Sequence, residues 1–427
     1  MYYDLTRGKI SRSLILFALP MIAGNLLQQF YNIADTLIVG RVLGSNALAA
    51  VGSSYTLMTF LTSIFLGLSM GAGALFSIYQ GRKDLSSLKL SILHAFLLIL
   101  AVTLVLNLAV YAGIEPILTF LRVPDEVRPG MRTYLLIIFA GLIATSVYNF
   151  FSCMLRALGN SSVPLIFLAV SAVLNIALDL LFVAVLPFGI AGAALATVLA
   201  QYVSAVGILL YVLLHCRMWL PSKKEWRFSH SILKEILNLS SMTCIQQSVM
   251  NFGILMVQGL VNSFGPAVMA AFAAAVKIDT FAYLPVQDFG NAYSTFTAQN
   301  YGAGNHERIR RGTKDAFALS AAFSIVISLL VNLFAHPLMQ IFVKASEMEV
   351  IAIGVQYLRL EGSFYLSRHR MAVSAVRVLP RCQTRRDVGC SDRHFAWHAC
   401  GAGIPFLRHG AWRCRNLDRH SDRLGTG

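Results

Sequence analysis

Residues 13–38 read SLILFALPMIAGNLLQQFYNIADTLI, an apolar run with a single acidic residue, Asp35, near its end. A run of this length can cross a bilayer, for which about 20 apolar residues are needed. Comparable runs follow at 47–78, 90–113, 131–155, 163–186, 190–214, 234–262, 266–298, 315–337 and from about 350. The sequence therefore predicts an all-α, polytopic membrane protein with short connections between its spans.

The composition of the chain supports this prediction. Of its 427 residues, 56% are hydrophobic and 13% are charged, whereas about a quarter of the residues of a soluble protein are charged. The net charge of +15 does not indicate nucleic-acid binding, because we find no basic helix interleaved with aromatic residues of the kind that tracks phosphates. We expect a monomer embedded in a lipid bilayer, with no nucleic-acid partner.

Basic residues alternate between the loops. Arg82 and Lys83 lie in the second loop, and Arg308 and Arg311 lie in the eighth, whereas the loop at 187–192 carries no charge. Cytoplasmic loops of membrane proteins carry the excess of Lys and Arg. The alternation therefore predicts a multi-pass protein of the cytoplasmic membrane with its N-terminus in the cytoplasm.

The chain contains an internal repeat with a shift of 221 residues. VLGSNALAAVG at 42–52 aligns with SFGPAVMAAFA at 263–273, and Gly81 then meets Gly302 without a gap. Two parallel six-helix halves are a recurrent transporter plan, with the binding site between them. A fortuitous match of small residues is the alternative, and ungapped agreement over nearly forty residues disfavours it.

The repeat divides the chain into two pseudo-repeated lobes, 1–215 and 234–365, joined by a cytoplasmic linker at 216–233. The remaining segment, 366–427, breaks the pattern, because it holds twelve arginines and no lysine where further apolar helices are expected. Enrichment in Arg, Cys, His, Gly and Trp is typical of a GC-rich gene translated in a wrong frame. We therefore predict that this tail is not a domain and that the last helices of the second lobe are missing or corrupted. Its Cys and His spacings match no common zinc finger, so we expect no metal site there.

Ionisable residues inside apolar spans indicate function, because a central Asp costs about 2.5–3.5 kcal/mol on insertion scales. The first span contains Asp35, and the fifth contains Asn175 and Asp179, whose spacing of four places them on one helical face. Thr197 in the sixth span reaches a similar depth. Together these groups can bind Na⁺ through oxygens or carry a proton on a carboxyl group. The alternative is that each merely hydrogen-bonds a neighbouring helix.

The chain resembles the multidrug and toxic compound extrusion (MATE) family across residues 10–365. The resemblance rests on motif stretches in both halves: QQFYNIADTLIVGRVLG (28–44), GLSMGAGALFSIYQGRKD (67–84), RALGNSSVP (156–164) and FTAQNYGAGN (296–305). It implies a secondary active antiporter that exports drug-like or organic cationic compounds in exchange for H⁺ or Na⁺.

In family members of similar pattern, polar residues of the first, fourth, fifth and sixth helices form a cation site. The resemblance assigns this site to Asp35, Asn149, Asn175, Asp179 and Thr197. The depth of Asn149 in its span is nearer the cytoplasm than that of the others. Further candidates, for the substrate cleft, are polar residues within other parts of the apolar spans: Gln28, Asn32, Gln246, Gln247, Asp279 and Asp288. The two acids in this second group line the cleft or pair with neighbours.

Other classes of function have less support. No H-E-x-x-H, P-loop, G-x-S-x-G or Rossmann motif occurs, so we expect no enzyme and no cofactor beyond bound Na⁺ or transferred H⁺. Two alternatives stay open. One is a lipid-linked saccharide flippase of the same superfamily, whose cleft we expect to be more basic. The other is a truncated membrane protein that does not transport.

The reading frame of the tail can be tested on the gene. We expect that inserting or deleting one base near codon 365 restores two further spans of about 20 apolar residues each. Resequencing this region of the gene tests the reading frame. Early stops or polar sequence in both other frames would show that the tail is the true continuation.

Overall fold

The computed structural model describes residues 3–43, 45–120, 125–222, 225–262, 266–343, 347–360 and 362, so the tail predicted at 366–427 lies outside the described residues. The described residues contain no β-strand. Their helices, in chain order, are α1 (Ile10–Leu43), α2 (Ser45–Arg82), α3 (Leu85–Ala112), α4 (Ile114–Phe120), α5 (Arg128–Ile138), α6 (Leu142–Ala157), α7 (Ser162–Asp179), α8 (Gly189–His215), α9 (His230–Asn262), α10 (Pro266–Gly302), α11 (His306–Phe342) and α12 (348–360).

The predicted polytopic, all-α class is confirmed. Among the described residues, seven helical stretches are long and apolar enough to cross a membrane: Ile10–Leu43, Ala50–Arg82, Leu85–Ala112, Arg128–Ala157, Ser162–Val185, Gly189–His215 and His306–Ile341. The predicted seventh and eighth spans are the long helices α9 and α10, of 33 and 37 residues, which are not among these seven stretches. The tenth predicted span begins at 348, as α12.

The span predicted at 131–155 is interrupted in the middle. A 3₁₀ turn at Phe139–Gly141 separates α5 from α6. The Asn107 amide donates to the Phe139 carbonyl oxygen (2.7 Å), and the Tyr202 hydroxyl donates to that of Ala140 (2.9 Å). Backbone groups freed within a membrane need such partners, so side chains of α3 and α8 stabilise the break.

The charge-balanced loop predicted at 115–132 contains the short helix α4. Glu115 accepts hydrogen bonds from Arg128 (3.0 Å) and Arg132 (2.7 Å), and these bonds hold its pKa below the usual range. The three side chains are exposed, so their contribution to stability is small. Glu115 offsets one of the two arginine charges, and Asp125 and Glu126 in the same loop add negative charge at this end of the bundle.

The helix starts confirm the internal repeat. α2 begins at Ser45 and α10 begins at Pro266, 221 residues later; α3 and α11 begin with the same separation. The residues that precede α3 and α11 are Asp84 and Asn305, which share the N-cap position. Short polar side chains are preferred there because they can accept a hydrogen bond from the first turn, as Asp84 does from Ser87 (3.0 Å).

The two lobes meet where α2 crosses α10. Gly81 packs against the backbone of Gln299, and Gly302 packs against that of Ile78. The 221-residue shift carries Gly81 onto Gly302 and Ile78 onto Gln299, so the two contacts are equivalent under the repeat. A Cβ at either glycine would overlap a carbonyl oxygen. Small residues of this kind allow membrane helices to approach closely.

A second close contact joins α2 to α9. Gly67 and Gly71 lie against the backbones of Cys244 and Ser240, and the Ser240 hydroxyl donates to the Leu68 carbonyl oxygen (2.9 Å). This contact and the α2–α10 crossing lie toward the end of the bundle at which α1 begins, which we call the N-terminal face. The lobes are therefore packed together at the N-terminal face.

The predicted linker at 216–233 is attached to the first turns of α3. Lys89 pairs with Glu225 (3.1 Å), and the backbone N–H of Ser229 donates to His94 Nε2 (3.0 Å). A hydrogen bond from the Ser222 backbone, followed by the one from Lys89, lowers the pKa of Glu225. The linker thus lies across the N-terminal face of the first lobe.

The α2–α10 crossing gives a stability prediction. We expect Gly302→Ala to cost about 1–3 kcal/mol through overpacking. Gly290→Ala, on the same helix, is the control, because a Cβ there meets nothing within 4 Å. Both changes favour the helical state by up to about 1 kcal/mol. The difference in stability between the two variants therefore reports the overpacking at the crossing. Thermal unfolding in detergent measures it, and equal midpoints for both variants would contradict the close approach.

Candidate cation site in the first lobe

The structure brings the two predicted acids together. Asp35 lies on α1, and Asp179 is the last residue of α7. Their carboxyl groups are close enough to interact electrostatically. Asp179 is fully buried, at 0% exposure, and Asp35 is half-buried. The pair therefore lies inside the first lobe, between α1 and α7.

Asn175 and Thr197 lie on the same side of this interface. Asn175 is buried one turn before Asp179, and its Nδ2 donates to Thr197 Oγ1 (3.3 Å). The Thr197 hydroxyl in turn donates to the Ala193 carbonyl oxygen (3.1 Å). This chain of hydrogen bonds uses the amide nitrogen of Asn175, and its amide oxygen has no donor among the described residues.

Four buried oxygens of this cluster have no hydrogen-bond donor among the described residues. They are Asp35 Oδ1, Asn175 Oδ1 and both carboxyl oxygens of Asp179. A buried polar group without a partner is costly, and a buried unpaired charge is more costly still. All four atoms are acceptors unless a carboxyl group is protonated. The donor set therefore fits a small cation held by oxygens or a proton bound to one of the acids.

The backbone beside Asp179 departs from α-helical geometry. A π-helix at Leu180–Val185 follows directly, and the Leu186 N–H donates to the Leu181 carbonyl oxygen (2.8 Å), five residues back. Single π-helical turns often mark functional sites in helical proteins. Here the π-helix begins directly after the acidic residue, and the apolar sequence LLFVAV gave no sign of it.

Two tyrosines near the acids were missed by sequence reasoning. Tyr31 lies near Asp35, and Tyr134 on α5 lies near both Asp35 and Asp179. Tyr31 could have been found, because it precedes Asp35 by four residues and so shares its helical face. Tyr134 lies in a different span, and its sequence context contains no comparable signal.

Asn149, the fourth-helix residue of the predicted site, makes its recorded hydrogen bond within its own helix. Its Nδ2 donates to the Thr145 carbonyl oxygen (2.9 Å). No hydrogen bond recorded within the described part of the chain joins Asn149 to the acids. Its assignment to the cation site stays a prediction that rests on the family resemblance.

The cleft candidate Asp288 is buried at the contact between the lobes. Both of its carboxyl oxygens lie within hydrogen-bonding distance of Asn25 Nδ2 on α1 (2.7 and 2.8 Å), and Arg156 adds a favourable charge. Of the two roles left open for Asp288, the structure shows pairing with a neighbour. This pair connects α1 of the first lobe with α10 of the second.

The other cleft candidates differ in burial. Gln247 is buried between α9 and α2, where its amide nitrogen lies 3.4 Å from Met70 Sδ. The remaining four are partly exposed: Gln28, Asn32, Gln246 and Asp279. Within the described residues no group of three or more His, Cys, Asp or Glu side chains could hold a metal ion. The candidate site instead combines two acids with neutral oxygens.

The fold and this site define a polytopic helical membrane protein of two repeated lobes, with an acidic site buried in the first. The MatE family model matches residues 20–181 and 240–368. The chain is 34% identical over 366 residues (85% of this chain, 81% of the relative) to the "Probable multidrug resistance protein YpnP" of Bacillus subtilis (strain 168). The chain belongs to the MatE family, as its motifs predicted.

A further relative and a solved structure are also similar to this chain. The "Probable multidrug resistance protein NorM" of Thermotoga maritima is 26% identical over 360 residues, covering 83% of this chain and 77% of that protein. An outward-facing multidrug resistance MATE family transporter of the MOP superfamily superposes with a TM-score of 0.80 at 23% identity, over 87% of this chain and 83% of that one. This likeness confirms the two-lobe fold. The family match ends at residue 368, close to the predicted break in the chain.

The Asn25–Asp288 pair gives a second prediction. Asn25→Ala would remove the donor that α1 supplies to the buried Asp288 carboxyl group, at a cost of about 1–3 kcal/mol, while Asn291 on α10 would remain. Asp288→Ala removes the group that needs the donor, so we expect the double variant to lose less stability than the two single changes combined. Thermal unfolding of the four proteins in detergent completes the cycle. Additive losses would show that the two side chains do not interact.

Proposed function

We propose that the protein is a secondary active antiporter that exports drug-like or organic cationic molecules across the cytoplasmic membrane in exchange for H⁺ or Na⁺. The observation that carries this proposal is the buried pair of Asp35 and Asp179, with oxygens that lack donors. Membership of the MatE family and the names of the multidrug resistance relatives support the substrate class.

The pair of acids gives a physical basis for coupling ion binding to a change of conformation. Two carboxylates side by side disfavour each other's ionised form, and a bound cation or proton relieves that repulsion. The occupied and unoccupied sites therefore differ in their electrostatic balance across α1 and α7. A difference of this kind is what an ion must create in order to bias one conformation over another.

Helix α1 connects the acids to the contact between the lobes. Asp35 and Asn25 lie on the same helix, ten residues or about 15 Å apart along its axis, and Asn25 holds Asp288 of the second lobe. A shift of α1 driven by ion binding at Asp35 would therefore act on an interlobe contact. This continuity supports α1 as the element that transmits the state of the site.

The orientation of the protein is part of the proposal. Positive loops are retained in the cytoplasm, and the basic ends of α2 and α11 lie at the N-terminal face. With that face in the cytoplasm, the close α2–α10 and α2–α9 contacts shut the protein toward the cytoplasm. Closure at that face is in keeping with the outward-facing transporter that the chain superposes on.

The coupling proposal predicts the effect of three substitutions on transport. Asp35→Asn keeps the shape of the side chain but cannot titrate, so we expect gradient-driven efflux to fall to the rate without a gradient. Asp179→Asn should behave alike, and Thr197→Val, which removes one neutral oxygen, should reduce efflux less. Insertion should be unaffected or improved, because a neutral amide is less costly to bury.

The assay is efflux from vesicles under an imposed H⁺ or Na⁺ gradient, with expression measured in parallel and the reading frame after residue 365 restored. A cationic dye and FAD should both be offered, since a relative that is 25% identical over 354 residues is named "FAD transporter". Asn149→Ala tests the predicted site residue whose assignment rests on the family resemblance. Parental efflux by Asp35→Asn would remove this site from the coupling mechanism and direct attention to Asp279 and Asp288.

A further inference from the structure

A basic cavity lies between the lobes at the N-terminal face, apart from the acidic site. It has a volume of about 490 Å³ and opens between the start of α1 and the first turns of α11. Its side chains include four cations and one acid: Lys9, Arg308, Arg311, Lys314 and Asp315. One wall belongs to the first lobe and the other to the second.

The cavity walls are held in place by one of these cations. The Arg308 guanidinium donates to the carbonyl oxygens of Leu5 (3.3 Å), Arg7 (2.7 Å) and Gly8 (2.8 Å), which fastens the segment before α1 onto α11. A guanidinium used in this way is pre-organised. Hydrogen bonds between the lobes therefore fix the walls of the cavity.

The acids near the cavity are fewer than its cations. Asp315 accepts a hydrogen bond from the Ser11 hydroxyl (3.0 Å). Glu307 is shared between Arg311 (3.0 Å) and Arg310 (3.3 Å), so one carboxylate serves two guanidinium groups. Lys314 is exposed and forms no ion pair within the described residues. The residues that line the cavity thus carry more positive than negative charge.

We propose that this cavity binds a phosphate-bearing anion, and that the anion is the headgroup of an acidic phospholipid. Arginine matches phosphate oxygens in a bidentate manner, and lysine adds a point charge. Basic pockets between membrane helices at the cytoplasmic side are suited to such headgroups.

The surface next to the cavity favours a lipid over a soluble phosphate. Ile15 and Ala318 are exposed, and they follow Ser11 and Lys314 by four residues, on the same helical faces. The cavity-lining faces of α1 and α11 therefore continue as apolar surface toward the membrane interior. Acyl chains attached to a bound headgroup would have apolar side chains to lie against.

A headgroup in this position would bridge the lobes. It would contact Lys9 before α1 and Arg311 and Lys314 on α11, so it would strengthen the packing at the N-terminal face. Acidic lipid should therefore stabilise the arrangement in which the lobes are closed at that face.

The test compares purified full-length protein in nanodiscs of phosphatidylcholine with and without phosphatidylglycerol. Thermal unfolding reports stabilisation, and native mass spectrometry reports retained lipid. We expect phosphatidylglycerol to raise the unfolding midpoint of the parent. Each basic group near an acidic membrane surface strengthens binding about fivefold, so Arg311→Gln with Lys314→Gln should weaken retention roughly 25-fold. Added salt should reduce the effect by screening.

Matched variants keep the result interpretable. Arg310→Gln removes the same charge from the same helix, next to Glu307 but outside the cavity, and should respond to phosphatidylglycerol as the parent does. Lys314→Arg should retain the response because it keeps the charge. Inorganic phosphate added to phosphatidylcholine nanodiscs is the last arm, and stabilisation by phosphate alone would support the anion site but overturn the lipid assignment. An equal response of the double variant and the parent would overturn the proposal, as would equal losses in the double variant and Arg310→Gln.

Discussion

Where α2 crosses α10, two glycines allow the helices to approach so closely that each lies against the other's backbone. Gly81 contacts Gln299 and Gly302 contacts Ile78, a pair of contacts that the internal repeat makes equivalent. A side chain at either position would separate the helices and, with them, the two lobes. The Asn25–Asp288 pair, the basic cavity at the N-terminal face and the glycine contacts of α2 with α9 all depend on the lobes meeting at this distance.

The geometry of the acidic site depends on packing within the first lobe and not on the contact between the lobes. Asp35 and Asp179 are adjacent because α1 packs on α7, and the oxygens of the cluster lack donors among the described residues. Burial without donors is unfavourable unless a cation or a proton is bound for part of the cycle. The two features meet in α1, which carries Asp35 toward one end and the interlobe residue Asn25 nearer the other. That arrangement links a local charge change to the contact between lobes.

Much of this could be predicted from the sequence, since the relevant signals are periodic or local. Apolar runs mark the spans, the 221-residue repeat marks the two halves, and the spacing of Asn175 and Asp179 places them on one face. The π-helix after Asp179 could not be predicted, because its six residues are uniformly apolar. Nor could the partner of Asp288 or the position of Tyr134, since both depend on contacts between helices that are distant in the chain. The assignment of Asn149 to the cation site rests on the family resemblance alone.

The central claim is that Asp35 and Asp179 bind the coupling ion, and equilibrium ion binding tests it most directly. The four residues of the cluster all lie in the first lobe, so the chain can be used as it stands, whatever the reading frame of its tail. Binding of ²²Na⁺ and proton uptake by the purified protein should be measured side by side in the parent and in Asp35→Asn. The account predicts one bound Na⁺ or one exchanged proton per chain in the parent, and none in the variant. Undiminished binding by Asp35→Asn would contradict it.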